Sequence, residues 1–238
     1  MPPSTPNLTH VACSNCCLNE VCTPLNIANI GITVKDNFVE RRLPVAKDTV
    51  LILGANEEHY LYAITSGSFK LIADNDNQSH RACLGFRFAG ELLGESALSG
   101  NKSPYTAIAL EDAHVCRLST HTASTVNTQM PEFSNRIIRL LSNQLHDSLK
   151  THALYQGSAS AEEKVIAFLT EVSLKYRRAG QNHLVFTLPM SRSDIADYLG
   201  LTKETLSRSL TRLSEEQKIY CSAKHIELLD SRLTNYSL

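Results

Sequence analysis

The sequence predicts an α+β protein: a roll of short β-strands, then one long helix, then a compact helical unit that closes on a strand pair. Three observations point there. Short apolar runs alternate with Gly, Asp and Asn between about residues 28 and 128, the punctuation of a small barrel or roll. After Met130 the apolar period becomes helical. Beyond Met190, two capped helical stretches flank a single glycine.

Composition narrows the class. The 238 residues are 42% hydrophobic and 20% charged, neither disordered nor membrane-like. A net charge of -1 creates no global field toward nucleic acid, so any DNA contact must come from a local surface. No apolar run approaches the roughly 18 residues of a membrane span. Met1 to His10 carries neither the basic stretch nor the apolar core of a secretory signal, so a cytoplasmic protein without a membrane partner is expected. Thiols stay reduced there. Of seven cysteines, four fall between Cys13 and Cys22, and such crowding in a reducing compartment reads as metal binding.

The elements follow in order. Residues 1–27 are polar, proline-bearing and cysteine-rich, with no period. Residues 28–129 carry the strand candidates, among them Thr49–Leu53, Tyr60–Ile64, Phe69–Ile72 and Tyr105–Leu110, separated by Gly54, Gly67 and the Asp74–Asn77 cluster. Residues 130–157 read as one helix, with Pro131 in its first turn and Gly157 at its stop. Ile138, Leu141, Leu145, Ser148 and His152 repeat in steps of three and four, the seam of a helix pair. A core-facing helix gives a similar stripe, but Ile137 and Leu140 remain to cover the protein's own body. Residues 158–238 begin with a helix over about 161–178, capped within Ser158–Ser160. Glu162 and Glu163 lie in its first turn and Lys175, Arg177 and Arg178 in its last, as the helix dipole favours.

The segment Met190–Leu213 carries the most specific signal. Ser191 or Ser193 can cap a first helix containing Ile195, Ala196 and Leu199, which Gly200 breaks. Thr202 can cap a second, with Leu206, Leu210 and Leu213 inward. This is the bihelical DNA-reading unit, with Ala196 small where the helices meet. Lys203, Glu204, Ser207, Arg208, Thr211 and Arg212 then lie outward. Arg208 can donate two bonds to guanine, Glu204 can accept from cytosine and Ser207 suits either. Lys203, Thr211 and Arg212 suit phosphates. The competing reading is a solvated face on which Glu204 and Arg208 form an i,i+4 ion pair. Ile219–Ser222 and His225–Leu229 flank Ala223-Lys224 as a hairpin wing.

Cys13, Cys16 and Cys22 form C-x2-C-x5-C. A fourth thiolate from Cys17, Cys83 or Cys116 would complete either a [4Fe-4S] cluster or a zinc site, and spacing does not choose between them. No Ser/His/Asp constellation or Walker lysine is present, so no catalysis is expected.

Together these features resemble the CRP/FNR superfamily, and within it the fumarate and nitrate reduction branch. The resemblance spans nearly the whole chain. It is carried by C-x2-C-x5-C, Leu61-Tyr-Ala-Ile-x-Ser-Gly67, Gly85-Phe-x-Phe-Ala-Gly-Glu-Leu-Leu-Gly94, Val115-Cys116 and Glu204-Thr-Leu-Ser-Arg208. It implies a cyclic-nucleotide-binding-like β-roll, a dimerisation helix and a winged helix-turn-helix. It also implies one oxygen-labile [4Fe-4S] cluster per subunit on Cys13, Cys16, Cys22 and Cys116, degraded through a [2Fe-2S] form. The cluster-bearing homodimer would bind an inverted repeat similar to TTGAT-N4-ATCAA and recruit RNA polymerase in the absence of oxygen. Glu204, Ser207 and Arg208 match the family's base-contacting trio, and the Asp74–Asn77 turn falls at a polymerase-contacting surface.

The chain departs from the family pattern in places. Cys17 follows the second ligand and is a candidate substitute for it. Ser148 occupies the seam where the branch has an aspartate that splits the cluster-free dimer, and Asp147 lies one position off, so a dimer that persists without its cluster is expected. Cyclic-nucleotide binding is disfavoured, because Gly90-Glu91 is followed by Ser103-Pro-Tyr-Thr106 with no arginine for the phosphate. A haem on His59, His80 or His114 is disfavoured as well. The alternative function is a regulator of the same fold with zinc on its N-terminal cysteines, or one gated by another small molecule.

Overall fold

A computed structural model of the chain describes residues 16–22, 39–51, 60–73, 82–120, 131–156 and 159–230. In order the elements are α1 (Asn19–Cys22), β1 (Val39–Val45), β2 (Val50–Leu51), β3 (Tyr60–Ser66), β4 (Ser68–Ala73), β5 (Cys83–Phe88), β6 (Leu92–Leu93), a 3-10 turn (Glu95–Ser99), β7 (Tyr105–Ala109) and β8 (Ala113–Ser119). Then come α2 (Pro131–Gln156), α3 (Ala161–Arg178), β9 (Val185–Thr187), α4 (Arg192–Leu199), α5 (Lys203–Glu215), β10 (Ile219–Ser222) and β11 (His225–Leu228).

The roll is two four-stranded antiparallel sheets, ordered β1-β8-β3-β6 and β2-β7-β4-β5. Alternation along β3 and β8 decides what each face touches. Tyr62, Ile64, Ala113 and Val115 point into the roll, with Phe69, Leu71, Leu93 and Ala107. Leu61, Ala63 and Leu118 point out, where Leu18, Phe133 and Ile137 cover them. The first sheet is therefore buried on both faces, by the roll inside and by α1 and α2 outside. This is why β3 is buried over Leu61–Ile64 without a gap.

Helix α2 runs the expected length. Its Ile137 is buried and Leu140 and Leu141 pack partly on the roll. Gln144 pins its register: the side chain accepts from Leu92 N–H at 2.7 Å and donates to Leu92 O at 3.2 Å. Leu141, placed by spacing on the seam, thus leans toward the protein's own body. Ile138, Leu145 and Leu149 stay 58%, 61% and 60% exposed, and Ser148 and His152 are exposed beside them. Gly157 and Ser158 lie outside the described residues. Ser160 caps α3, accepting from Glu163 N–H, while the Glu163 carboxylate accepts from Ser160 N–H at 2.7 Å.

The C-terminal unit shares its core with the roll. Val165, Phe168, Leu169 and Val172 of α3 join Ile195, Leu199, Leu206, Leu210 and Leu213 and meet Ile72, Cys83, Phe86 and Phe88. Phe86, Phe168 and Tyr198 contact edge to face, with centroids 5.3 to 6.1 Å apart. The expected wing hairpin is present, but it supplies two strands of a three-stranded sheet: β9 pairs with β11, giving the order β10-β11-β9. Three residues were too short a run to be read as a strand. Among the described residues no helix is long and apolar enough to cross a membrane.

Candidate nucleic-acid interface and cysteine site

The bihelical unit is capped at each junction. Ser191, not Ser193, is the first cap, accepting from Asp194 N–H at 3.1 Å in a reciprocal box with the Asp194 carboxylate. Gly200 ends α4 at φ 64°, a left-handed conformation that a side chain would strain. Thr202 then caps α5 by accepting from Thr205 N–H at 3.1 Å. Ala196 is buried at the crossing, as its size predicts.

The second helix presents Lys203, Glu204, Ser207, Arg208, Thr211 and Arg212 to solvent, all six exposed on one face. Their free-state partners differ. Arg208 Nη2 makes one long contact, donating to Thr205 Oγ1 at 3.4 Å. Arg212 is engaged twice, with Glu162 at 2.8 Å and Glu216 at 3.2 Å. The Glu204 carboxyl is held below its usual range by hydrogen bonds from its own N–H and Thr202, with the Lys203 and Arg208 charges adding to them, so it is an acceptor at neutral pH. The face therefore offers an acceptor and a lightly held guanidinium one turn apart. The Glu162 partner of Arg212 lies on another helix, and sequence spacing gave no sign of it.

The wing is tied down from α4. Arg192 Nη2 donates to Ala223 O at 2.6 Å and lies 3.2 Å from Cys221 Sγ. The whole unit is docked on the roll by carboxylates. Lys70 Nζ meets Asp194 at 2.8 Å, and Cys83 N–H donates to Asp197 at 2.7 Å. Lys175 Nζ donates to Glu91 at 2.9 and 3.1 Å and to Phe86 O at 3.0 Å. Burial pushes the neighbouring Glu171 carboxyl up, opposed by the Lys175 charge. A cavity of about 510 Å³ opens between β5, α2 and the C-terminal unit, and Glu91, Glu171 and Lys175 line it. None of these interdomain pairings was legible in the sequence, because each joins residues far apart along the chain.

Of the expected sulfur ligands, Cys13 lies outside the described residues, and of Cys22 only the backbone is described. Cys16 and Cys116 are half-buried thiols in one apolar cluster with Leu18, Leu61, Leu118 and Phe133. Cys116 reaches it because β8 turns Val115 inward and Cys116 outward, opposite Ala63 of β3. Cys83, weighed as a ligand on spacing alone, is instead buried in the core shared with the DNA-reading unit, and burial pushes its thiol up to about 12. Cys17 packs against both the roll-interior cluster and the outer patch, and the adjacent Cys16 thiol raises its pKa well above the usual thiol range. His114 is buried on Ser66, with Oγ and Nδ1 3.1 Å apart, while His59, His80 and the Asp74–Asn77 turn lie outside the described residues.

Comparison with known proteins places this geometry among regulators. Residues 163–233 match the Crp-like helix-turn-helix domain family and residues 42–125 the cyclic nucleotide-binding domain family. The fumarate and nitrate reduction regulatory protein of Vibrio cholerae is 31% identical over 220 residues, covering 92% of this chain and 87% of that protein. The regulatory protein HlyX of Actinobacillus pleuropneumoniae is 32% identical over 218 residues, covering 92% and 90%. The structure of FixK2 from Bradyrhizobium japonicum superposes with a TM-score of 0.69 at 26% identity, covering 83% of this chain and 96% of that one.

Proposed function

Because this chain belongs to the CRP/FNR superfamily of transcriptional regulators, on its fumarate and nitrate reduction branch, we propose that it is a cytoplasmic, oxygen-responsive regulator. In this reading Cys13, Cys16, Cys22 and Cys116 hold one [4Fe-4S] cluster per subunit. The observation that carries it is the convergence of Cys16 and Cys116 in one apolar patch, from positions a hundred residues apart. Soft thiolates shielded by Leu18 and Phe133 suit iron–sulfur ligation, so the two ligands among the described residues, Cys16 and Cys116, fit the group. When bound, the cluster supplies an electron-rich centre that dioxygen attacks.

The chain's own residues do the rest. Ile138, Leu145, Ser148 and His152, with part of Leu141, form the homodimer seam beside the Phe133 patch. Two copies of α5 then enter successive major grooves of an inverted repeat resembling TTGAT-N4-ATCAA. Glu204, Ser207 and Arg208 read base edges, and Lys203 and Thr211 hold phosphates. Arg212 joins them only after leaving Glu162 and Glu216. RNA polymerase is recruited by the bound dimer, and the protein has no catalytic role. Glu91, occupied by Lys175, is not offered to a cyclic nucleotide.

The test is anaerobic purification with iron and acid-labile sulfide counted per chain. Four of each, visible absorbance bleached by air, and DNA binding lost with the colour are the expected results. A colourless protein holding one zinc per chain, or equal DNA binding before and after air, overturns the reading.

A further inference from the structure

The turn Ala89–Glu91, between β5 and β6, touches three parts of the molecule. Its backbone is stitched to β3: Gly90 N–H donates to Ile64 O at 2.9 Å, and Ile64 N–H donates to Glu91 O at 3.0 Å. On one side Gly90, at φ 94°, lies under the cysteine segment, and a Cβ placed there would sit 3.6 Å from Cys17 Sγ. On the other side the Glu91 carboxylate accepts from Phe88 N–H at 2.8 Å and grips Lys175. Lys175 is only 6% exposed, and it also meets Phe86 O, Glu171 at 3.5 Å and the Phe88 ring at 5.7 Å.

We infer that this turn links the cysteine segment to the DNA-reading unit, with Glu91 as the positioning residue at its far end. Cys17 bears on Gly90 from above. A displacement of Cys17 moves the backbone that carries Glu91. A buried ammonium that loses the nearer of its two carboxylates is disfavoured, so Lys175 follows Glu91. Lys175 sits on α3, whose apolar face shares one core with α4 and α5. Movement of Lys175 therefore reorients the helix-turn-helix against the roll. The inference deepens the proposed regulatory reading by naming its transmission element. It holds whichever metal the cysteines bind, and its test needs none.

The test is hydrogen exchange on the full-length, air-exposed protein. Glu91→Gln or Lys175→Met alone should speed exchange over residues 165–178 and 83–88 by about tenfold or more, because one buried partner is stranded. In the double variant the two effects should not add, since neither residue is left to strand the other and Glu171, 3.5 Å from Lys175, is the one carboxylate that loses its ammonium. Cys17→Ala, which empties the space over Gly90, should speed exchange over 165–178 in the wild-type background and have no effect there in the double variant. Gly90→Ala, strained at its positive φ, should behave likewise. If Cys17→Ala changes exchange only around residue 17, or acts equally in the double variant, the link does not exist. Iron-free protein with intact coupling removes the cluster reading and leaves this one standing; iron-loaded protein with uncoupled α3 does the reverse.

Discussion

Arg208 and Arg212 lie one turn apart on the same exposed face, yet their free-state partners predict opposite consequences of removing them. On the proposed reading, Arg208 gives up one 3.4 Å contact to Thr205 to reach a base. A bidentate arginine–guanine pair is worth about 1–3 kcal/mol of discrimination. Two half-sites double that to about 2–6 kcal/mol, or roughly thirtyfold to twenty-thousandfold in affinity. Arg212 must first leave two ion pairs, to Glu162 and Glu216. Exposed pairs are worth about 0.2–1 kcal/mol each, comparable to what one phosphate contact returns. Arg208→Ala should therefore collapse affinity for the inverted repeat and leave binding to a duplex with its contacted guanines replaced little changed. Arg212→Ala should alter both duplexes alike, by at most a few-fold, with the salt dependence reduced by about one per subunit at most. Fluorescence anisotropy of the anaerobic protein on both duplexes, across a salt series, measures all of this. If Arg208→Ala weakens the two duplexes by the same factor, base reading by that residue is wrong.

Two further outcomes follow from the same geometry. Asp147 is turned to Arg178, leaving Ser148 exposed on the proposed seam with His152, so Ser148→Asp should weaken the cluster-free dimer. The repulsion is about 1 kcal/mol in water and up to ~4 kcal/mol where partly screened, for charges ~4 Å apart. Sedimentation of the aerobic protein reads it, and identical dimer affinity in the two proteins would place the seam elsewhere. At Asp194, desolvation opposes ionisation, but hydrogen bonds from Lys70 and Ser191 outweigh it and hold the carboxyl below its ordinary value. Its stabilisation is therefore complete above about pH 4 and fades as pH falls through the lowered value. Asp194→Asn should lose ~1 kcal/mol or more at neutral pH and show a flatter acid limb in thermal unfolding; an unchanged acid limb would refute the assignment.

The helix-turn-helix was readable because its determinants are local. Ser191, Gly200 and Thr202 act on backbone within a few residues of themselves, and the apolar period of α5 states which face is inward. The same holds for the length of α2 and the alternation of β3. Gln144 shows where such reading stops: nothing in its spacing says that it will clasp Leu92 and so rotate Leu141 toward the roll. β9 was missed because a three-residue strand exists only through its partner β11.

By itself, then, the sequence determined the order of elements, the two capped helices and their outward polar face, and the crowding of thiols near the N-terminus. Only the tertiary structure decided that Cys116 and Cys16 pack on one apolar patch, that Cys83 lies in a different core, and that Lys175 closes on Glu91. The reason is range. Caps and periods act through neighbouring backbone, whereas a buried ion pair or a shared apolar patch exists only once distant segments have excluded water between them.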